Sequence, residues 1–339
     1  MISPQPVPDT AQTPAIPLSV HQLRFSVQVT EPIYFNEFKG SALRGALAGT
    51  LGNTFCPQWR AEETNPLHQS LCPVCQLLSL ERTDETSGDI RRPYAVRPPL
   101  DSATRYAVGQ SFEFDMLLIG DNLHLLPYLV LAVQGVGETS GIGRRGENHR
   151  RGHFTITSID AVNPLSGEMQ PLLTSQGRMV RQPAIPILHE HVMATVETML
   201  PELEEGGNRL TVHMRTPLRL IQGGERVQDP RFFPLGKQSV LRVLDLSAQH
   251  GGGRPAVQLK RDIYPWIDQV TLVEDRTRWW DLKGYSGRLQ RSQVMGGLMG
   301  AATYIAPDWR PLLPWLIWGS IVGVGKNIVK GCGVVGVGR

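Results

Sequence analysis

The residues with chemistry to offer lie in four places along this 339-residue chain. Cys56, Cys72 and Cys75 have the spacing C-x15-C-x2-C. A CxxC turn aims two thiolates at one point, which suits a zinc ion or a cluster. His68 is the nearest candidate for a fourth ligand. The expectation is one structural zinc, with a metal-free loop as the competing reading. The second place is the C-terminal run Gly323-Val324-Gly325-Lys326-Asn327-Ile328-Val329-Lys330-Gly331-Cys332-Gly333. Glycine is needed where the backbone takes positive φ or where something approaches closely. Backbone amides in such turns can cradle phosphate, and Lys326 and Lys330 add charge. Gly323, Gly325, Gly331 and Gly333 are therefore candidate phosphate-contacting positions, and a terminal hairpin with glycine at its bulges is the alternative. The run is neither a Walker loop nor a dinucleotide fingerprint, since no GK[ST] opens a helix and no downstream acid follows.

The third place is Gly141 to His153, where Arg144, Arg145, Arg150 and Arg151 sit among glycines. Four guanidinium groups on such a turn point to phosphate contact. The fourth is Phe38 to Leu51, with Leu43, Leu47 and Leu51 at helical spacing and Ser41 as the expected N-cap. Lys39 and Arg44 fall near the start of this helix, where positive charge opposes the dipole. That placement points to an anionic partner.

The elements that must position these residues come in two sets. Residues 1–17, rich in Pro, Thr and Gln, read as a disordered lead-in. An N-terminal domain spans 18–165, with a cysteine insertion at about 55–100, and its strands are His21–Val29, Ser111–Ile119 and Phe154–Ile159. Asn122–Val136 is its second helix. Residues 166–208 read as a connection with a short helix at about 189–200. The C-terminal domain, 209–339, restarts with a strand at Arg209–Leu220 and a helix at Pro234–Ser247. It continues with strands at Val270–Asp281 and Gly287–Tyr304, a helix at Pro311–Gly319, and a last strand after the glycine loop. Both halves follow strand–helix–strand–strand–helix–strand. The fold class is therefore α+β, with tandem ferredoxin-like (RRM-like) domains, the cysteine insertion and a C-terminal glycine-rich loop.

Composition sets outer limits. Lys and Arg number 34 against 31 Asp and Glu, a net charge of +3, so basic patches and not bulk charge must attract an anion. No run of eighteen apolar residues or signal-peptide pattern occurs, which predicts a cytoplasmic protein with no membrane partner.

The run Trp280-Asp281-Leu282-Lys283-Gly284-Tyr285-Ser286-Gly287-Arg288, then Met295-Gly296-Gly297-Leu298-Met299-Gly300, Tyr304 and the glycine loop, resembles a known family. It is similar to the C-terminal half of the RAMP-superfamily CRISPR-associated endoribonucleases that process precursor crRNA. FKGSALRGAL, CPxC and GIGRR before a strand have counterparts in the N-terminal half of that family. The resemblance implies repeat binding and metal-independent attack of a ribose 2′-OH on the adjacent phosphate. It leaves a 2′,3′-cyclic phosphate and a 5′-OH, with no catalytic cofactor. It implies RNA contact by Lys283 and Arg288, and precursor crRNA, with possible CRISPR effector subunits, as partners.

The chain departs from the family pattern in its histidines. None lies in 34–51, and Gly323 stands where related chains often have histidine. Tyr34, Lys39 and Arg44 are the candidate catalytic residues in its place. His21, His149, His153 and His213 are further candidates for which a structural role is the default. A non-catalytic RAMP subunit that holds crRNA, and a general RNA-binding module with a zinc-stabilised loop, are the alternative functions.

Overall fold

The computed structural model describes residues 14–61, 65–78, 90–146, 149–174, 179–286 and 291–338. Its first half contains β1 (Val20–Glu31), β2 (Ile33–Tyr34), α1 (Lys39–Phe55), α2 (Pro66–Leu71), α3 (Pro73–Leu78), β3 (Tyr94–Arg97) and β4 (Arg105–Tyr106). β5 (Ser111–Ile119), α4 (Leu126–Gly135), β6 (His153–Asn163) and β7 (Glu168–Leu173) follow. The second half contains α5 (His189–Glu205), β8 (Arg209–Leu218), β9 (Leu220–Gln222), β10 (Glu225–Val227), α6 (Phe232–His250) and α7 (Tyr264–Ile267). It ends with β11 (Thr271–Trp280), β12 (Lys283–Ser286), β13 (Arg291–Val294), β14 (Gly297–Ile305), α8 (Leu313–Val322) and β15 (Val335–Gly338).

Two larger antiparallel sheets have the orders β3-β5-β1-β6-β7 and β11-β14-β8-β15, and β2-β4, β9-β10 and β12-β13 form two-stranded sheets beside them. Leaving out the edge strand β7, each larger sheet has the 2-3-1-4 order of a ferredoxin-like βαββαβ unit. The alternation of β1 explains its face. Leu23, Phe25, Val27 and Val29 are buried with α1 and α4, while Arg24, Ser26 and Gln28 point away. Phe25 stacks on Phe114 of the neighbouring strand, with ring centroids 5.4 Å apart.

The second core is built on α8, the sequence LPWLIWGSIV, in which all but Ser320 are buried. A helix apolar on every side has to be enclosed. α5 and α6 pack against it, and Ala95, Leu117 and Ile119 of the first sheet join the same cluster. The two halves therefore share a core. Charged contacts reinforce it: Arg91 donates to Asp245 of α6 at 2.9 Å, and Arg254 reaches the same carboxylate at 3.1 Å. Arg97 from β3 donates to the carbonyls of Ser320 and Ile321 at the end of α8. Arg242 donates to that of Val322 at 2.9 Å. Cations there complement the helix dipole.

α1 has the weakest local basis of the long helices. Its sequence contains Gly40, Gly45, Gly49 and Gly52, each costing about 1 kcal/mol against alanine in a helix interior. Ser41 is not its N-cap. The helix begins at Lys39 after Phe38, and the Ser41 hydroxyl donates back to the Phe38 carbonyl at 3.4 Å.

Several sequence expectations change. Of the lead-in, residues 1–13 lie outside the described residues, and Ile16 is buried in the second core. The stretch read as a connection supplies the edge strand β7 and the 17-residue helix α5, with Pro201 inside it. Alternation was hidden there because β7 is mostly exposed on an edge. The single strand expected at Gly287–Tyr304 is two elements. β13 pairs with β12 in a hairpin, and β14 starts afresh at Gly297 in the main sheet.

Candidate nucleic-acid interface

Arg44 lies on the second turn of α1, facing the end of the chain. Its Nε is buried with no hydrogen-bond partner among the described residues, which is costly for a charged group. α1 meets the glycine loop closely, because a Cβ at Gly40 would collide with the carbonyl of Lys330. Lys330 is half-buried, and its amine donates to Gln293 of β13. Burial, and then the Arg44 charge, hold Lys330 below its ordinary pKa. Beside it, burial pushes the Cys332 thiol up to about 12 against the pull of Lys330 and Arg219. Arg219 is itself lowered, first by burial and then by Arg226. Cations crowded this way in a partly dry setting favour an anion between them.

The underside of this site is apolar. Phe38, Met295 and Cys332 cluster with Trp280 and Leu282, and Phe38 meets Trp280 edge-on at 6.2 Å. That cluster ties α1, the glycine loop and the β12–β13 hairpin together. Lys283 of β12 is exposed on the hairpin. Arg288 lies outside the described residues.

The loop glycines lie against the protein's own chain. Gly323, Gly325, Gly331 and Gly333 all have positive φ and are buried. A Cβ on Gly325 would strike the Arg219 carbonyl, one on Gly333 the Val324 carbonyl, and one on Gly331 would lie 2.6 Å from Pro98 Cδ. The close approach that requires glycine is made by the protein's own chain. The loop amides of Val324, Lys326 and Gly333 also donate internally, to Gly333, Arg219 and Pro217. What the loop presents outward is Lys326, which is exposed, and the half-buried Lys330.

Lys39 is buried and paired. Its side chain is 3% exposed, and its amine donates to the Asp101 carboxylate at 2.8 Å and the Tyr106 hydroxyl at 2.9 Å. Burial alone would raise Asp101. Hydrogen bonds from Lys39, Tyr106 and the Ala103 amide outweigh it and hold the carboxyl below its ordinary range. Lys39 is thus neutralised beneath the surface. It pins the segment that runs from Pro98, against which Gly331 rests, to Asp101.

Tyr34 belongs to another group. Its carbonyl accepts from the Arg144 amide at 2.6 Å, and the Arg105 guanidinium lies over its ring at 5.6 Å. Arg144, Arg145, Arg150 and Arg151 are all exposed on the loop between α4 and β6, which is closed by a bridge between Ile142 and Gly152. Among the histidines, His153 is bonded to the Gly137 carbonyl at 2.9 Å, and His149 is exposed at φ 59°. His21 is buried and lowered by that burial. His213 is exposed on β8.

Nothing in the sequence signals a further cleft, of about 500 Å³, between the two halves. Gln22, Arg24, Arg97, Asp115 and Arg215 line it. Arg97 is pushed down to about 10 by burial, which the Asp115 charge opposes and a smaller repulsion from Arg215 reinforces. Arg24 is bonded to Asp115 at 3.1 Å. These residues come from strands far apart in the chain, so no local pattern brings them together.

Cys56, His68, Cys72 and Cys75 lie close enough to hold a metal ion, with all four ligand atoms within 4.8 Å of one another. Cys56 Sγ is 3.3 Å from His68 Nε2 and 3.7 Å from Cys75 Sγ. His68, the candidate fourth ligand, thus lies beside the three cysteines.

Two ferredoxin-like units in tandem, with a glycine-rich loop before the last strand, make up the fold. Residues 18–185 match a family described as an N-terminal domain, and residues 212–335 match CRISPR-associated endoribonuclease Cas6. The part of the chain that resembles Cas6 in sequence is thus this C-terminal segment. No curated protein matches the sequence. Thermus thermophilus Cas6 has a similar structure over 94% of this chain and 98% of its own, with a TM-score of 0.52 at 10% identity. A Cas6 product complex matches over the same shares at 0.51 and 11%. A partial Cas6-RT-Cas1–Cas2 complex matches 95% of this chain at 0.56 and 12%, and the chain spans 46% of that longer one. At such identities the likeness concerns the fold. Among the described residues no helix is long and apolar enough to cross a membrane.

Proposed function

We propose that this protein is an endoribonuclease that binds the repeat of precursor crRNA and cuts it to mature crRNA. The observation that carries the reading is the buried Nε of Arg44, which has no partner among the described residues, beside the depressed Lys330 where α1 meets the glycine loop. A scissile phosphate placed there satisfies both cations. In the reaction the ribose 2′-oxygen loses its proton and bonds to phosphorus as the P–O5′ bond breaks. A 2′,3′-cyclic phosphate and a protonated 5′-OH remain. Arg44 and Lys330 stabilise the charge that develops on the phosphorane oxygens, an effect strongest where water is excluded. Tyr34, with the exposed arginine loop, is assigned to the RNA strand entering the site, and Lys39 to holding α1 in place. The family name and the solved Cas6 product complex support the substrate class. On this reading the place of action is the cytoplasm.

The four-ligand cluster is assigned to structural zinc, because three thiolates and an imidazole leave no open position for chemistry. The second reading, a RAMP subunit that holds crRNA without cutting it, is favoured by one observation: residues 34–51, which include Arg44, contain no histidine. Incubation of the protein with its repeat RNA in EDTA separates the two. A single cut with a cyclic-phosphate end is expected. Tight binding with no cut would establish the holding subunit.

A further inference from the structure

Helix α1 carries Arg44, yet little in its own sequence keeps it helical. Besides its four glycines it has no side-chain N-cap, no acid in its first turn and no base in its last. At Gly45 and Gly49 no described atom lies within 4 Å of where a Cβ would stand, so packing does not require glycine there. The helix is held by its buried leucines and by its two ends. At the N-terminal end Lys39 is locked to Asp101 and Tyr106. At the C-terminal end the cap residue is Cys56, whose amide donates to the Gly52 carbonyl at 3.1 Å. Gly52 lies directly under the Trp59 indole, with no room for a side chain. The Cys56 thiol faces His68 of α2 and Cys75 of α3, and Cys72 completes the set.

We propose that the metal held by these four residues is the C-terminal anchor of α1, keeping formed the helix that presents Arg44. The inference rests on the zinc reading of the cluster. Cys56 and Cys75 are 19 residues apart, and their sulfurs meet only when the last turn of α1, α2 and α3 are all in place. Metal binding free energy is then folding free energy for that unit. Without the ion, the buried thiols and the imidazole have no shared partner, and the last turn of α1 is free to fray. Because helix formation is cooperative, fraying spreads back toward Gly49 and Gly45. The ion takes no part in cleavage on this account, yet its loss disturbs the residue that does.

The test uses the full chain, purified without a histidine tag and with zinc measured by elemental analysis. About one zinc per chain is expected. After stripping with 1,10-phenanthroline, hydrogen exchange is followed in the peptides covering 39–55 and 65–78. In the metal-free protein, amides in the second half of α1 should exchange at least about tenfold faster, and Tm should fall by roughly 5 °C. Zinc, but not magnesium, should restore both. Gly49→Ala, which adds helix propensity in open space, should recover part of the α1 protection in the metal-free protein and none in 65–78. Faster exchange confined to 65–78, with α1 unchanged, overturns the anchor while leaving the zinc site intact. Protein that neither contains nor takes up zinc overturns the zinc reading itself. Cys75→Ser is a second variant for the same comparison, and chelation of the wild type decides the matter should that variant not fold.

Discussion

Arg44 and Lys39 lie five positions apart on one helix, and their surroundings separate their roles. Arg44 has a buried Nε that none of the described residues satisfies, whereas the Lys39 amine is fully occupied by Asp101 and Tyr106. Arg44→Ala should therefore slow single-turnover cleavage by about 100-fold or more while repeat affinity falls only several-fold. Equal losses in both would assign Arg44 to binding alone. Lys39→Ala should cost about 2 kcal/mol of stability, measured by urea unfolding, because it leaves a partly buried carboxylate without its strongest donor. Its pH signature follows from Asp101. A carboxyl with a folded pKa below its unfolded value contributes stability at pH above the unfolded value, and loses it as pH falls through the folded one. The wild type should thus lose its advantage over Asp101→Asn on acidification below about pH 4. For Lys330 the equilibrium that matters is binding and not folding. Its folded pKa is depressed, and a bound phosphate raises it again. Repeat affinity should fall as pH rises through that depressed range, and Lys330→Arg should move the fall to higher pH.

Among the elements, the glycine loop and the arginine loop make contrasting expectations. Gly325→Val and Gly333→Val place a side chain against carbonyls of the protein's own backbone, at positive φ. Both should lower Tm by several degrees, and any loss of RNA binding should track the unfolded fraction. A variant that melts like the wild type yet fails to bind would return the glycines to direct RNA contact. The arginine loop carries its charges in solvent, so their removal should leave the fold alone. Arg144, Arg145, Arg150 and Arg151 changed together to alanine should weaken binding of unrelated RNAs alike. The log–log salt slope should drop by roughly 0.7 for each phosphate that the loop no longer neutralises. An unchanged slope would make this loop a solvated surface.

The whole molecule depends on charges buried where its halves meet. Asp245 is 3% exposed and accepts from Arg91 of the first half and Arg254 of the second. Arg242 nearby is pushed down to about 9 by burial, with Arg91 adding repulsion and Asp245 relieving part of it. Asp245→Asn should destabilise the protein by about 3–5 kcal/mol, since it strands buried guanidinium groups. Because Ala95, Leu117 and Ile119 of the first sheet share a core with α8, the two halves should unfold in one transition. Calorimetry showing two separated transitions would mean that this shared core is not cooperative.

Alternation and helical spacing are local, and one face of each element is buried, so the repeated βαββαβ order and most of the strands are legible in the chain before it folds. The same holds for Cys56, His68, Cys72 and Cys75, since CxxC spacing carries its own geometry. Glycine spacing located the terminal loop but not the purpose of its glycines. A glycine demanded by an approaching ligand and one demanded by the carbonyl of Arg219 look the same in one dimension. Likewise a lysine at a helix start says nothing of an Asp101 that arrives 62 positions later to neutralise it. Which cations are satisfied, and which are left facing a gap, is settled in three dimensions. Pairing depends on contacts between distant segments, and the cost of an unpaired charge is set by how much water those segments exclude.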